Sequence, residues 1–268
     1  MIVRVTTWLI YRHIAYLGRL LMRHETMLSL VKKLRFNGML SQFDEIMEAA
    51  NIAKLNGVEL MQRFLEIEIA YRQTRTLRYR LDMARLPQVK SLDNFDCTDM
   101  PIKKEQLITL TECQFITEKS NLLLIGGSGS GKTHIALTVA YAALQKLYRV
   151  KFYLFGDLAR LLLQAKTHRY EANFMARLQR YHLLVIDEMG YVPIDPEAGP
   201  LLFELFSKLY EKTSLIITTH LTFDEWTSLF GGAKSSKAII DRITHHCKII
   251  ETGNISWRIK EGKNMAKK

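Results

Sequence analysis

The run Gly126-Gly127-Ser128-Gly129-Ser130-Gly131-Lys132-Thr133 constrains what this chain can fold into more than any other stretch. It fits G-x-x-x-x-G-K-[ST], and its flanks are what such a loop needs. Leu122-Leu123-Leu124-Ile125 ahead of it is a short apolar block, the pattern of a buried strand; His134 to Leu144 behind it has the apolar spacing of a helix packed on a sheet. A strand that turns through glycines into a helix start leaves a ring of free backbone N–H groups with the helix dipole behind them, and those donors cradle a polyphosphate. The motif puts Lys132 at the β- and γ-phosphates and the Thr133 hydroxyl on Mg²⁺. A nucleoside triphosphate is the expected ligand.

Tyr181-His182-Leu183-Leu184-Val185-Ile186-Asp187-Glu188 follows about fifty residues later. It reads as an apolar strand ending in two carboxylates, a Walker B element. Asp187 is expected to hold Mg²⁺ through water, and Glu188 to orient and polarise the attacking water. Two solvated acids at a strand end would be the plain reading of this segment alone; its position after the phosphate loop displaces that reading. Adjacent Asp and Glu suit hydrolysis by a motor or switch ATPase better than a small-molecule kinase, which needs an acceptor pocket instead of a second carboxylate.

The chain has 268 residues, 48% hydrophobic and 24% charged, ordinary for a globular chain with a real core. Its net charge is +11, which favours an anionic partner, and residues 1–90 hold most of the excess, a net +7. The three cysteines, Cys97, Cys113 and Cys247, show no ligand-type spacing and read as reduced thiols of a reducing compartment, the cytoplasm. Met1 to Leu21 mixes apolar residues with Arg4, Arg12 and Arg19; it lacks a bilayer-spanning stretch and a cleavable signal pattern. It reads either as an amphipathic basic helix or as an extension ahead of a start at Met22 or Met27.

Residues 28–86 read as consecutive helices, with Asn56-Gly57 as a turn between them. From Tyr71 the chain turns basic: Arg72, Arg75, Arg78, Arg80 and Arg85 stand against the single acid Asp82. A solvated helix face and phosphate-backbone contact with DNA are both open for this run. Pro87 breaks the helix, and residues 87–101 read as an extended linker in which Phe95 packs on an adenine ring or plugs the core edge. An α/β pattern follows: a helix near 103–117, a strand at 121–125, a helix at 132–147, a strand at 150–154, helices at 156–165 and 170–180, a strand at 183–187, a helix at 198–211 and a strand at 214–219. That alternation predicts a mostly parallel sheet covered on both faces. No internal repeat or low-complexity tract is present.

Beyond the two Walker elements, several strings make the chain resemble the IstB-like ATP-binding proteins, ATPase helpers of transposition for a class of bacterial insertion sequences, related to the helicase loader DnaC. They are Gly-Ser-Gly-Lys-Thr-His-Ile-Ala (129–136), Leu-Leu-Val-Ile-Asp-Glu-Met-Gly-Tyr (183–191), Leu-Leu-Phe-Glu-Leu (201–205), Ser-Leu-Ile-Ile-Thr-Thr (214–219), Phe-Asp-Glu-Trp (223–226), Asp-Arg-Ile-Thr-His-His (241–246) and Ser-Trp-Arg (256–258). Leu-Arg-Phe-Asn-Gly-Met (34–39) and Arg-Leu-Asp-Met-Ala-Arg-Leu-Pro (80–87) extend the likeness, so it covers about Met27 to Arg258. The resemblance implies an AAA+ core over 102–260, a small all-α N-terminal domain over 27–86, and a basic tail at 261–268. Family members begin near Leu28, which favours residues 1–26 as a dispensable extension.

It also implies ATP and Mg²⁺ as cofactors, homo-oligomer assembly on double-stranded DNA without sequence preference, delivery of a partner transposase, and no membrane. Carried over by position, Arg242 is an arginine finger reaching a neighbouring subunit's γ-phosphate; without the resemblance, a surface ion pair with Asp241 would be preferred. Arg258 takes the place of a sensor-type arginine. His220 stands where the family usually has Asn, which hydrogen-bonds the attacking water or γ-phosphate; imidazole can still donate that bond. His245-His246 read as non-ligating, since adjacent side chains point apart and no carboxylate cluster accompanies them. A helicase loader is the competing function, with the same ATP site and basic surface.

Overall fold

The computed structural model describes residues 24–90, 102–230 and 233–253. Phe95, Cys97, Arg258, most of the linker and the basic tail lie outside the described residues. Two compact units divide between Thr76 and Leu77, upstream of Pro87.

The first unit is helical: α1 (24–33), α2 (Asn37–Ser41), α3 (Phe43–Ala53) and the part of α4 (Gly57–Ala84) up to Thr76. Val31, Met39, Phe43, Ile46 and Phe64 form its core, with the Phe43 and Phe64 rings stacked 5.2 Å apart. Asn56 does more than turn the chain. Its Oδ1 accepts the amides of Val58 and Glu59 at 2.9 and 3.0 Å, and the Glu59 carboxylate accepts the Asn56 amide at 2.8 Å, so a reciprocal cap starts α4. Gly38 permits the close approach of α2 to α4, since a Cβ there would collide with Tyr71 Cβ. The buried Glu68 carboxylate accepts the Gly38 and Met39 amides at 2.8 and 3.2 Å and the Arg72 Nε–H at 2.7 Å.

The second unit is built on five parallel strands: β1 (Asn121–Ile125), β2 (Val150–Leu154), β3 (Leu183–Met189), β4 (Ser214–Thr219) and β5 (Cys247–Glu251), in the order β2-β3-β4-β1-β5. Side chains alternate between two cores. Leu122, Leu124, Leu183, Val185 and Ile216 face one cluster, packed by α5 (Lys104–Thr111), α6 (Gln114–Thr117) and α7 (Lys132–Gln145). Leu123, Leu184, Ile186, Leu215 and Ile217 face the other, packed by α8 (Phe155–Thr167), α9 (Glu171–Leu178), α10 (Ala198–Leu209) and α11 (Ala233–Thr244). Burying each such side chain stabilises the fold by roughly 2 kcal/mol.

The parallel, doubly covered sheet matches expectation, with local differences. The helix expected near 103–117 breaks at Cys113, whose φ is 60°. Sequence reading placed neither α11 nor β5; β5 is an exposed edge strand whose Lys248 and Glu251 interrupt its apolar pattern. Leu77, Leu81, Ala84 and Leu86 pack in the second unit's core, which is why the division falls inside α4.

Candidate nucleotide-binding site

Parallel strands put all their carboxyl ends on one edge, and ligands bind in the crevice beyond it. That edge gathers the loop after β1, the acids of β3, His220 after β4 and Thr252 after β5. The loop is braced from both neighbouring strands: the Gly126 amide donates to Thr219 O at 3.2 Å and the Gly127 amide to Gly253 O at 2.9 Å. Ser130 Oγ donates to Gly127 O at 2.8 Å and lies 2.6 Å from Thr252 Oγ1. A Cβ on Gly126 would strike Thr252 Oγ1 and the Gly253 carbonyl, so only glycine fits there. Gly129 and Gly131 have φ of 77° and 91°, the left-handed region that favours glycine.

Lys132 is the first residue of α7 and is 6% exposed. Its ammonium donates to the Gly126 and Gly127 carbonyls, both at 2.7 Å, which arches the side chain across the loop. A polyphosphate cradled by the loop would take the ammonium from those carbonyls. Thr133 Oγ1 donates to both Asp187 oxygens, at 2.9 and 3.1 Å. A hydroxyl and a carboxylate in contact at a helix start are the hard-oxygen donors Mg²⁺ prefers, so the residues present fit that ion.

The two acids of β3 differ. Asp187 is buried, while Glu188 is exposed with φ of 61°. The β3–β4 register shifts between Ile186 and Met189. Such a bulge stores strain and re-aims one side chain, here turning Glu188 away from the core toward the edge of the sheet. Thr218 fastens the bulge: its hydroxyl accepts the Glu188 amide at 2.9 Å and donates to Asp187 Oδ1 at 2.5 Å. Thr219 continues the brace through Met189 O at 2.8 Å. Sequence reading missed Thr218 and Thr252. The available signal for Thr218 was a hydroxyl pair ending an otherwise apolar strand; Thr252 carried none, since β5 itself was not placed.

His220 follows β4 directly, exposed, its ring edge-on to Tyr191 at 4.3 Å. Arg242 is elsewhere. It lies in α11, half-buried, with its guanidinium 5.4 Å over the Phe203 ring and Nη1 donating to Ala238 O at 3.1 Å. It lines a small cleft with Asn121, Thr213 and Leu215, at the starts of β1 and β4. The phosphate loop is one strand length away, about 17 Å at 3.3 Å per residue, so Arg242 cannot reach its own subunit's phosphates. Among the described residues no ion pair joins it to an acid.

The arginines of α4 separate. Arg75 and Arg78 are exposed; Arg72 pairs with Glu68 and lies 5.3 Å over the Phe36 ring. Arg80 is half-buried, its Nη1 without a hydrogen-bond partner among the described residues, and burial and the nearby Arg149 lower its pKa. Cys113 and Cys247 are free thiols, pushed by burial up to about 11 and about 12. No described helix is long and apolar enough to cross a membrane.

The family model described as IstB-like ATP binding protein matches residues 29–265. A protein of insertion sequence IS232 from Bacillus thuringiensis subsp. berliner, named for ATP binding, is 32% identical over 229 residues, covering 85% of this chain and 92% of the relative. Its counterpart in IS21 of Pseudomonas aeruginosa is 32% identical over 233 residues, covering 87% and 88%. Among solved structures, AMPPCP-bound DnaA from Aquifex aeolicus superposes with a TM-score of 0.51 at 19% identity, over 68% of this chain and 56% of that one. That likeness is one of fold.

Proposed function

This chain belongs to the IstB-like ATP-binding protein family, and on that premise we propose that it is an ATP-dependent helper of DNA transposition, which assembles on duplex DNA and recruits or activates a partner transposase. It is an ATPase, and hydrolysis is the step that resets the assembly.

The proposed catalytic roles rest on where these side chains stand at the carboxyl edge of the sheet. The loop amides beyond Gly127, whose own amide and that of Gly126 brace the loop, receive the phosphates, and Lys132 moves from the Gly126 and Gly127 carbonyls onto the β- and γ-phosphate oxygens. Thr133 and Asp187 would hold Mg²⁺, which would supply positive charge to stabilise the phosphates. Glu188 accepts a proton from the attacking water, whose oxygen bonds to the γ-phosphorus as the bridging bond to the β-phosphate breaks. His220, from the end of β4, donates a hydrogen bond to that water or to the γ-phosphate. Arg242 from a neighbouring copy supplies charge to the transition state, and Arg258 is assigned the sensor role by family position alone. The observation that supports a shared site is the strand-length separation between Arg242 and its own phosphate loop, which leaves a neighbouring copy's site as the one it could serve.

DNA contact rests on the net +11 charge and on exposed cations such as Arg75 and Arg78. Arg72 and Arg80 contribute less, because one is paired and the other half-buried. The relatives belong to insertion sequences, which favours transposition over helicase loading. Sedimentation of the protein with duplex DNA, with and without ATP, tests the reading. We expect ATP-dependent co-sedimentation of unrelated duplexes alike, steeply weakened by salt. Replacing Arg72, Arg75 and Arg78 together should flatten the salt slope. Binding that ignores ATP, or that selects one sequence, would overturn it.

A further inference from the structure

The turn between α11 and β5 gathers ligand-type side chains that the nucleotide site does not use. The His245 and His246 rings do not point apart, as the sequence suggested: their centroids lie 4.2 Å from each other, with planes at 67°. Glu211, from the turn between α10 and β4, joins them, and one donor atom from each of the three lies within 4.8 Å of the other two. Glu211 holds this place on a left-handed backbone, φ 55°. All three side chains are exposed, so small rotations can close the set around an ion. The Tyr210 hydroxyl stands 2.9 Å from His245 Nδ1, engaging one ring nitrogen and leaving the other available. Outer hydrogen bonds of that kind orient metal-bound imidazoles.

Two imidazoles and a carboxylate suit Zn²⁺ and its first-row neighbours, whereas Mg²⁺ prefers hard oxygens alone. We infer that Glu211, His245 and His246 form a second cation site, for a divalent transition metal of the Zn²⁺ class, distinct from the Mg²⁺ position at Thr133 and Asp187. An ion there ties the turn after α10 to the turn before β5, linking the chain segments that enter β4 and β5. Water completes the coordination.

The test uses the full chain without a histidine tag, stripped of metal by a chelator and titrated with ZnCl₂ alone. Calorimetry and thermal melting follow the titration, and CoCl₂ serves as a spectroscopic substitute. We expect one saturable ion per chain, a rise in Tm with metal, and a Co²⁺ visible spectrum of nitrogen and oxygen ligation. The His245→Ala/His246→Ala double variant and Glu211→Gln should each weaken Zn²⁺ binding by about tenfold or more. Failure of the parent to bind one ion saturably overturns the inference. So does undiminished binding in both variants, which would place the ion on thiols or acids elsewhere.

Discussion

The Thr218 hydroxyl donates to Asp187 Oδ1 at 2.5 Å while accepting the amide of Glu188, the residue that follows Asp187. One side chain on β4 therefore sets the orientation of the carboxylate proposed to hold Mg²⁺ and the backbone of the one proposed to polarise water. Thr218→Val keeps the shape and removes both bonds, leaving the Glu188 amide without its acceptor and the buried Asp187 carboxylate without one donor. We expect a stability loss of about 2 kcal/mol and an ATPase rate reduced about tenfold or more. Equilibrium unfolding and steady-state turnover check it; wild-type turnover in Thr218→Val would remove the residue from the site.

Lys132 and Glu188 should separate binding from chemistry. Lys132→Ala deletes the loop's ammonium and should abolish ATP binding while leaving the fold intact, as read by nucleotide fluorescence and circular dichroism. Glu188→Gln keeps a hydrogen bond and loses the charge that polarises water; it should bind ATP and turn over about 100-fold more slowly or worse. Its assemblies on DNA should persist. Normal turnover in Glu188→Gln would take Glu188 off the catalytic list.

Much of the nucleotide unit was legible in sequence, because a glycine loop between an apolar strand and a helix has one usual structure, and β1, β2 and β4 fall at the residues expected. Edge strand β5 was not legible: it alternates weakly and is half solvated, and with it went Thr252, which locks the loop. The Glu188 bulge and its Thr218 brace depend on register between strands thirty residues apart, which no local pattern reports. The arginines of α4 looked alike in sequence and differ in the fold, since Glu68 claims Arg72 and packing half-buries Arg80. His245 and His246 converge because they lie in a tight turn, not on the helix or strand that would splay them.

The helical unit should lose stability in acid through Glu68. Burial opposes ionisation of this carboxyl, but bonds from Arg72 and the Met39 and Gly38 amides outweigh it and hold the pKa below the usual range. A depressed folded pKa means the stabilisation is complete above the unfolded value of about 4.3 and is lost as pH falls through the folded one. Glu68→Gln should cost about 2 kcal/mol at pH 7 and show a flatter loss of stability below pH 5 or so. Unfolding curves across that range decide it; equal slopes for parent and variant would assign the acid sensitivity to other groups.

The central claim is that catalysis needs two subunits, one giving Glu188 and its neighbour giving Arg242. Arg242→Ala and Glu188→Gln should each be inactive alone, the first binding ATP normally. Mixed in the presence of duplex DNA, they form some interfaces that pair an intact Glu188 with an intact Arg242, and ATPase activity should return to about a quarter of the parent's under random mixing, a statistical figure for an oligomer closed or extended by like interfaces. Co-sedimentation with DNA confirms that the two variants share assemblies. A co-assembled mixture that hydrolyses no ATP would contradict the account.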